Sequence, residues 1–240
     1  MKRRPDNRKI VPVAFLAPLL SGLALIPAYP PLEQGYLGWI ALIPLLWFCL
    51  KASPRQAFWG GLIFALPLHL YLNLYLAGVL MEYLSTPLAY LAMGLLVFVL
   101  CTFYALFALA AAWFACSRVF SFGLVFNLPA LWLLIEYARS ISFIGYNVGY
   151  LGYTQWSYPV ILNLAAVYGY WGLPFVMIGC QSILALAFSG RLKRKEQLGG
   201  AIIIAALLVA GLIVPSRFRE TGAGEILKAA LIQGNSTPEE

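Results

Sequence analysis

Charged residues are what this sequence most lacks. Asp, Glu, Lys and Arg make up 10% of its 240 residues and it holds one histidine, whereas 62% of its residues are hydrophobic. In an average soluble domain, about a quarter of the residues are charged. This composition cannot cover a surface that faces water on all sides, so the sequence excludes a soluble globular fold.

Patterns that mark a self-sufficient catalytic or metal site are also missing from the segments between the apolar runs. These segments show no phosphate-binding glycine-rich loop, no metal-ligand spacing, and no Ser/His/Asp or Cys/His arrangement. The four cysteines lie within or at the ends of apolar runs without paired spacing, and we interpret them as small buried hydrophobes. They are Cys49, Cys101, Cys116 and Cys180. We expect no metal, no cofactor and no catalytic residue in this chain.

Long apolar runs occupy most of the sequence. A helix needs roughly 20 mostly apolar residues to cross the hydrocarbon core of a bilayer. Seven runs are candidates: residues 10–27, 36–50, 56–80, 87–116, 120–138, 159–189 and 199–214. No small-residue cleavage site follows the first run, so we expect a retained span there and not a secretory signal. The predicted fold class is an all-α polytopic membrane protein with about seven transmembrane helices.

Basic residues predict how these spans are oriented, because Lys and Arg are enriched in cytoplasmic loops. With the N-terminus inside, twelve of the sixteen basic residues fall in cytoplasmic segments. They are Lys2, Arg3, Arg4, Arg8, Lys9, Lys51, Arg55, Arg118, Arg191, Lys193, Arg194 and Lys195. The opposite side then holds Arg139, Arg217, Arg219 and Lys228, and everything after about Pro215. Topology accounts for the net charge of +7, so we expect no nucleic-acid partner.

The segment 142–158 is unusually rich in aromatic residues. Phe143, Tyr146, Tyr150 and Tyr153 follow one another at three- and four-residue steps. This spacing predicts one face of a short interfacial or re-entrant helix. Two interpretations remain open: an aromatic belt segment at the membrane interface, or a lipid-facing wall of a binding site.

Ionisable residues within the predicted spans are few, and each is a functional candidate because it is costly at membrane depth. Glu136 lies near one end of the fifth span, and Arg139 follows three residues later on the same helical face. The pair is either an internal ion pair or a fixed charge at the mouth of a site. His69 lies in the third span near Asn73. It is either a structural histidine or a proton-transfer group, and the second role requires a partner from another helix.

The C-terminal tail differs from the rest of the chain. Residues 226–232 form a short apolar run between Gly224 and a turn at residues 233–235, which is typical of a buried strand. Ser236 or Thr237 is suited to cap a helix with Pro238 at its first position. We therefore predict a transmembrane bundle over residues 1–215, followed over 216–240 by a linker and the first strand of an α/β domain.

Taken together, several ordered segments resemble the bacterial apolipoprotein N-acyltransferases. Two of them are Pro129-Ala130-Leu131-Trp132, which leads to Glu136 and Arg139, and Gly145-Tyr146-Asn147-Val148. The others are residues 38–46, 52–58, 151–155, 168–175 and 230–235. The resemblance runs along essentially the whole chain. Where the family usually reads Gly-Phe-Pro-Trp, Gly145 is followed by Tyr146, Asn147 and Val148, so the loop lacks a proline and a tryptophan.

The resemblance implies what the whole protein does and where it acts. Members carry a nitrilase-like domain on the outer side of the inner membrane, in which a Glu, Lys and Cys triad takes an acyl group from a phospholipid and passes it to a lipoprotein N-terminal cysteine. The partners implied are a phospholipid acyl donor, an apolipoprotein acceptor and membrane lipid. Residues 229–235 would be the first strand of that domain. The triad would lie beyond Glu240, so the chain alone would be inactive.

The resemblance also suggests which residues of the bundle serve the substrate. We expect Gly145, Tyr146, Tyr153 and Gln155 to flank a lateral entrance for acyl chains, and Glu136 and Arg139 to brace it from below. Other classes stay open: a non-enzymatic lipid-binding scaffold, or a partner of a separately encoded nitrilase-like subunit. A small transporter is disfavoured because no inverted repeat and no set of polar residues at mid-depth is visible.

Overall fold

Helices form the whole of the fold that can be described. The computed structural model describes residues 12–117, 121–142 and 145–217. Within these ranges there are seven α-helices, short 3-10 segments and no strand. The helices are α1 (Leu16–Leu25), α2 (Ile43–Lys51), α3 (Pro54–Met81), α4 (Thr86–Cys116), α5 (Leu124–Ile141), α6 (Pro159–Phe188) and α7 (Arg194–Arg217). The all-α prediction is confirmed, whereas the strand and helix start predicted in the tail lie outside the described residues.

Four of these helices, α3 to α6, are long and apolar enough to cross a membrane by length and composition. Two more apolar stretches, Val13–Ala28 and Gly35–Lys51, are shorter. The chain is thus a multi-pass membrane protein. Four of the seven predicted spans are thus supported by the length and composition of their helices. That α1, α2 and α7 also cross the membrane stays a prediction.

Local sequence signals place the helix ends close to the predicted run boundaries. Ser53 caps α3 by accepting from the Gln56 backbone N–H, while the Gln56 side chain accepts from the Ser53 N–H, and Pro54 occupies the first turn. Proline also lies in the first turn of α4 and α6. These signals explain why the boundaries of the long helices are readable from the sequence.

The second predicted span is broken in two. A 3-10 segment, Gly35–Trp39, precedes α2, and the chain between them is largely buried. The Gln181 side chain of α6 forms hydrogen bonds with backbone groups freed at this break. Its Oε1 accepts from the Leu42 N–H at 2.8 Å, and its Nε2 donates to the Gly38 carbonyl at 3.1 Å. Irregular backbone at membrane depth persists only where the protein satisfies its polar groups. The amide of one side chain does so here.

Helix α6 is also interrupted. Gly169 has φ 66° and ψ 179° inside α6, a conformation essentially confined to glycine. The segment before Gly169 packs against α7, where the Tyr168 hydroxyl donates to the Leu207 carbonyl at 3.1 Å. The segment after it packs in the core through buried side chains such as Met177 and Gln181. The break therefore divides α6 into two helical parts at Gly169.

At the opposite end of the bundle from segment 145–158, Arg191 joins several helix ends. It follows α6, and its guanidinium donates to the Leu50 carbonyl at 2.6 Å and the Ala115 carbonyl at 2.7 Å. These carbonyls belong to the last turns of α2 and α4, where backbone acceptors lack intrahelical donors and a positive charge is favoured. One side chain thus joins the ends of α2, α4 and α6.

We predict that Arg191→Ala lowers the free energy of unfolding by about 2–3 kcal/mol, because two charge-assisted hydrogen bonds are lost. Thermal unfolding of the purified protein in detergent measures this change. Arg191→Lys should recover part of the loss. Exposed Lys195 supplies the matched control, since Lys195→Ala removes a positive charge nearby. Equal melting temperatures for the Arg191 and Lys195 variants would contradict the prediction.

Candidate functional site

The segment 145–158 crosses one end of the bundle, which we call the loop end. It is irregular up to Tyr150 and then forms a 3-10 helix over Leu151–Gln155. Gly145 and Gly149 have φ values of 55° and 82°, which interrupt a continuous helix. The prediction of one helical face bearing all four aromatics is therefore wrong. Tyr150 is buried and Tyr153 is 45% exposed, and Phe143 lies outside the described residues.

Glu136 anchors this loop from the last turns of α5. Its side chain is fully buried. Oε1 accepts from the Trp132 indole N–H at 3.0 Å and from the Leu151 backbone N–H at 2.8 Å, and Oε2 lies 3.4 Å from the Tyr170 hydroxyl. Since Leu151 begins the 3-10 helix, the carboxylate supplies the acceptor that the first N–H of that helix requires.

Arg139 anchors the same loop one turn further along α5. It is also fully buried. Nη1 donates to the Tyr104 hydroxyl and Nη2 to the Val148 carbonyl, both at 2.6 Å. The guanidinium carbon lies 5.4 Å from the Tyr104 ring centre and 5.1 Å from that of Tyr150, within cation–π range. Arg139 therefore connects α4, α5 and the loop.

Glu136 and Arg139 do not form the direct ion pair that was one of the two expectations. Within the described part of the chain, no salt bridge joins them, and the hydrogen bonds of each go to aromatic side chains and to the loop backbone. Their charges still attract through space because they lie three residues apart on one helix. Both side chains hold the loop by hydrogen bonds to its backbone. Neither side chain is exposed to solvent.

Tyr150 completes this arrangement. Its hydroxyl donates to the Glu136 backbone carbonyl at 2.6 Å while its ring covers the Arg139 guanidinium. Burial raises the pKa of the Tyr150 phenol above its ordinary value, so the hydroxyl stays protonated and remains a donor. From the opposite side, the Tyr29 hydroxyl donates to the Gly149 carbonyl at 2.9 Å. We call Glu136, Arg139 and Tyr150, with their loop contacts, the loop anchor.

Tyr146 connects the loop to α3. Its hydroxyl donates to Asn73 Oδ1, and Asn73 Nδ2 donates to the His69 carbonyl at 2.8 Å. The His69 ring is fully buried 5.3 Å from the Tyr104 ring, and neither ring nitrogen has a hydrogen-bond partner among the described residues. The partner that a proton-transfer role requires is therefore not found in that part of the chain. Gly149 packs so closely that a Cβ there would lie 2.8 Å from Leu72.

The other predicted site residues have different environments. Gln155 is buried: it accepts from the Trp39 indole at 3.0 Å and donates to the Gly35 carbonyl at 2.7 Å, linking the loop to the broken second segment. Tyr153 stacks on Tyr150, with ring centres 5.7 Å apart, and remains partly exposed. Gly145 is exposed, and a Cβ added there would lie 4.0 Å from the Ser140 carbonyl oxygen.

The structure thus brings Glu136 and Arg139 of α5 against the loop that carries Tyr153 and Gln155, places Tyr146 of that loop against α3, and leaves Gly145 exposed. Sequence reasoning singled out Tyr150 but missed the other aromatic partners of the anchor, namely Tyr29, Tyr104, Trp132 and Tyr170. Trp132 carries a readable signal because it lies four residues before Glu136 on one helix. The others come from distant segments. The arrangement positions a loop, and both of its predicted aromatic site residues, Tyr146 and Tyr153, reach the surface.

These features define a polytopic helical membrane protein whose loop between α5 and α6 is held by buried charged groups. Residues 21–183 match the apolipoprotein N-acyltransferase N-terminal domain. The chain is 28% identical to the apolipoprotein N-acyltransferase of Geobacter metallireducens over 97% of this chain and 45% of the relative. It is 31% identical to that of Shewanella oneidensis over 82% and 37%, and 32% identical to that of Pseudomonas paraeruginosa over 95% and 44%.

The chain belongs to the apolipoprotein N-acyltransferase family, because the family match covers more than half of it. The resemblance read from the sequence is thereby confirmed. The chain spans less than half the length of the curated relatives it matches. The match includes the loop anchor and the broken segments of α2 and α6.

We predict that Glu136→Leu destabilises the protein by about 3 kcal/mol, since the Trp132 and Leu151 N–H groups lose their buried acceptor. Glu136→Gln keeps an acceptor oxygen of the same shape and should lose much less. Thermal unfolding in detergent, with limited proteolysis of segment 145–158, distinguishes the two. Equal losses for both variants would mean that the charge matters and the hydrogen bonds do not.

A second prediction concerns Tyr150. Tyr150→Phe removes the hydrogen bond to the Glu136 carbonyl and keeps the ring over Arg139, so we expect a loss of about 1 kcal/mol. Tyr150→Leu also removes the cation–π contact and should cost about 1–2 kcal/mol more. Exposed Tyr153→Leu is the matched control. Denaturant titration of the three variants measures the free energy of unfolding. A larger loss for Tyr153→Leu than for either Tyr150 variant would contradict the prediction.

Proposed function

We propose that this chain is the membrane portion of an apolipoprotein N-acyltransferase. Such an enzyme moves a phospholipid acyl chain to the N-terminal diacylglyceryl-cysteine of a lipoprotein in the bacterial inner membrane. The observation that carries the proposal is the family match over residues 21–183. The catalytic Glu, Lys and Cys belong to a nitrilase-like domain beyond residue 240, so residues 1–240 alone are inactive. Residues 1–215 are the bundle, and residues 216–240 lead into that domain.

The loop end is the side from which this bundle serves the substrate. Tyr146 and Tyr153 flank a lateral entrance for acyl chains together with Gly145, and Gln155 fixes the position of that wall from within. Glu136 and Arg139 brace the entrance from below. Burial supports this assignment of roles to the entrance and to its support. Glu136, Arg139 and Gln155 are buried, whereas Tyr153 is 45% exposed. Direct substrate contacts thus fall to the aromatic residues, and the buried residues act by positioning them.

The loop end lies on the outer side of the membrane, and the N-terminus is cytoplasmic. The distribution of basic residues supports this orientation. Residues 189–193, which carry Arg191 and Lys193, join α6 to α7 at the end of the bundle opposite the loop. Lys51 and Arg55 lie at the junction of α2 and α3 at that same end. Basic residues are retained on the cytoplasmic side.

A chimera tests the proposed function. Residues 1–240 replace the aligned N-terminal part of the Pseudomonas paraeruginosa relative, and the chimera is expressed in cells depleted of their own apolipoprotein N-acyltransferase. We expect mass spectrometry to detect N-acylated lipoprotein with the chimera and none with residues 1–240 alone. Acylation by residues 1–240 alone would place the catalytic residues inside this chain. A well-expressed chimera without acylation would favour a non-enzymatic lipid-binding scaffold.

Within that chimera, Glu136→Leu and Tyr146→Ala should each lower acyl transfer by about tenfold or more, because displacing a substrate-positioning wall by an ångström is costly. The matched control is Leu95→Ala, which changes an exposed apolar residue of α4. Unchanged activity in both loop-end variants would remove the entrance hypothesis while leaving the family assignment intact.

A further inference from the structure

A groove on the surface of the bundle lies between α5 and α6. It is a shallow, open groove of about 380 Å³, lined by Ala130, Leu133, Leu134, Tyr137 and Trp171. Four of these residues lie on α5 at positions i, i+3, i+4 and i+7, so they form one continuous stripe. At 1.5 Å per residue, the stripe extends for roughly 10 Å along the helix. No charged side chain is among the lining residues.

The break in α6 at Gly169 lies beside this groove. Gly169 lies two residues before Trp171, and a Cβ added there would meet no atom within 4 Å. The space beside the break is therefore open. Trp171, the α6 residue that lines the groove, follows directly after this break.

Aromatic side chains close the groove toward the loop end and connect it with the loop anchor. The Tyr137 and Trp171 rings meet edge to face with centres 5.8 Å apart. The Trp171 ring centre lies 5.0 Å from that of Tyr170 and 6.0 Å from that of Tyr150. The Tyr170 hydroxyl faces Glu136 Oε2. Tyr and Trp are typical of the membrane interface, where one end of the ring is apolar and the other is wet.

We propose that this groove binds one acyl chain of a bilayer phospholipid, with its head group beside Tyr137 and Trp171. Both bordering helices are long and apolar enough to cross the membrane, so the groove faces hydrocarbon. Its lining is apolar along the stripe and amphipathic only at the loop end, which matches the polarity of a phospholipid. The proposal rests on the proposed function only in assigning the bound lipid a role as acyl donor. Binding itself requires no catalysis.

Photolabelling of the full 240-residue chain tests this proposal. The protein is reconstituted in vesicles of phosphatidylethanolamine and phosphatidylglycerol that contain a trace of phosphatidylethanolamine with a diazirine in the middle of one acyl chain. After irradiation, mass spectrometry locates the labelled residues. Labelling of Leu134 is compared with labelling of Leu95 in α4, because the two side chains are similarly exposed, at 58% and 64%. We expect labelling at Leu133 and Leu134 to exceed that at Leu95 by about threefold or more, as for a modest preference over bulk lipid.

Two variants with matched controls make the result specific. Ala130→Trp fills the groove from an exposed position and should reduce labelling of Leu134 to the level of Leu95, whereas Leu95→Trp should leave it unchanged. Gly169→Ala disfavours the backbone conformation of the break beside Trp171, which lines the groove, and should also reduce labelling of Leu134. The helical Gly94 has equally open space around its Cβ position, and Gly94→Ala should have no effect.

Equal labelling of Leu134 and Leu95 that does not respond to Ala130→Trp would show ordinary boundary lipid and overturn the proposal. Failure of the chimera to acylate lipoprotein leaves this measurement untouched, because the label reports binding by the bundle. Conversely, an active chimera whose groove is not preferentially labelled would keep the proposed function and reject the groove as the lipid site.

Discussion

The carboxylate of Glu136, buried at the loop end of α5, is the group on which the rest of this site depends. A charged group at membrane depth is stable only when its desolvation is offset by hydrogen bonds and opposite charge. Glu136 meets that requirement by accepting from Trp132 and from the first N–H of the 3-10 helix at Leu151. The same bonds that make the charge tolerable therefore determine where the loop lies.

Arg139 connects the loop to the neighbouring helix α4 in the same way, through hydrogen bonds that offset the burial of its charge. Its guanidinium lies between the Tyr104 and Tyr150 rings and donates to the Val148 carbonyl. A network in which each member satisfies another is rigid because the loss of one partner leaves a buried polar group unpaired. The loop anchor thus converts an irregular segment, interrupted at Gly145 and Gly149, into a wall of defined shape.

Broken helices follow the same rule at two further positions. Gln181 supplies both a donor and an acceptor to the break before α2, and Gly169 permits the break in α6 by its backbone conformation. In a membrane, backbone groups released from a helix must be satisfied by protein or water. Gln181 therefore offsets the cost of the first break by hydrogen bonds, whereas Gly169 supplies the backbone conformation that the second break requires. The two breaks flank the loop anchor in the chain and help to give the loop end its shape.

Sequence alone determined the class of this protein, the approximate bounds of its helices and its family. Apolar runs, the Ser53 and Gln56 capping box and the prolines of the first turns act over short distances, so they can be read without knowing the fold. Tertiary structure decided everything that depends on contact between distant segments. In place of a Glu136–Arg139 ion pair, which was one of two open interpretations, it gave separate bonds to aromatic side chains and loop backbone. It also buried Tyr150 and Gln155, exposed Tyr153, and broke the second and sixth apolar runs. The physical reason is that a buried charge or a free backbone group is stabilised by whichever partner packing brings within about 3 Å, and spacing along one helix does not reveal that partner.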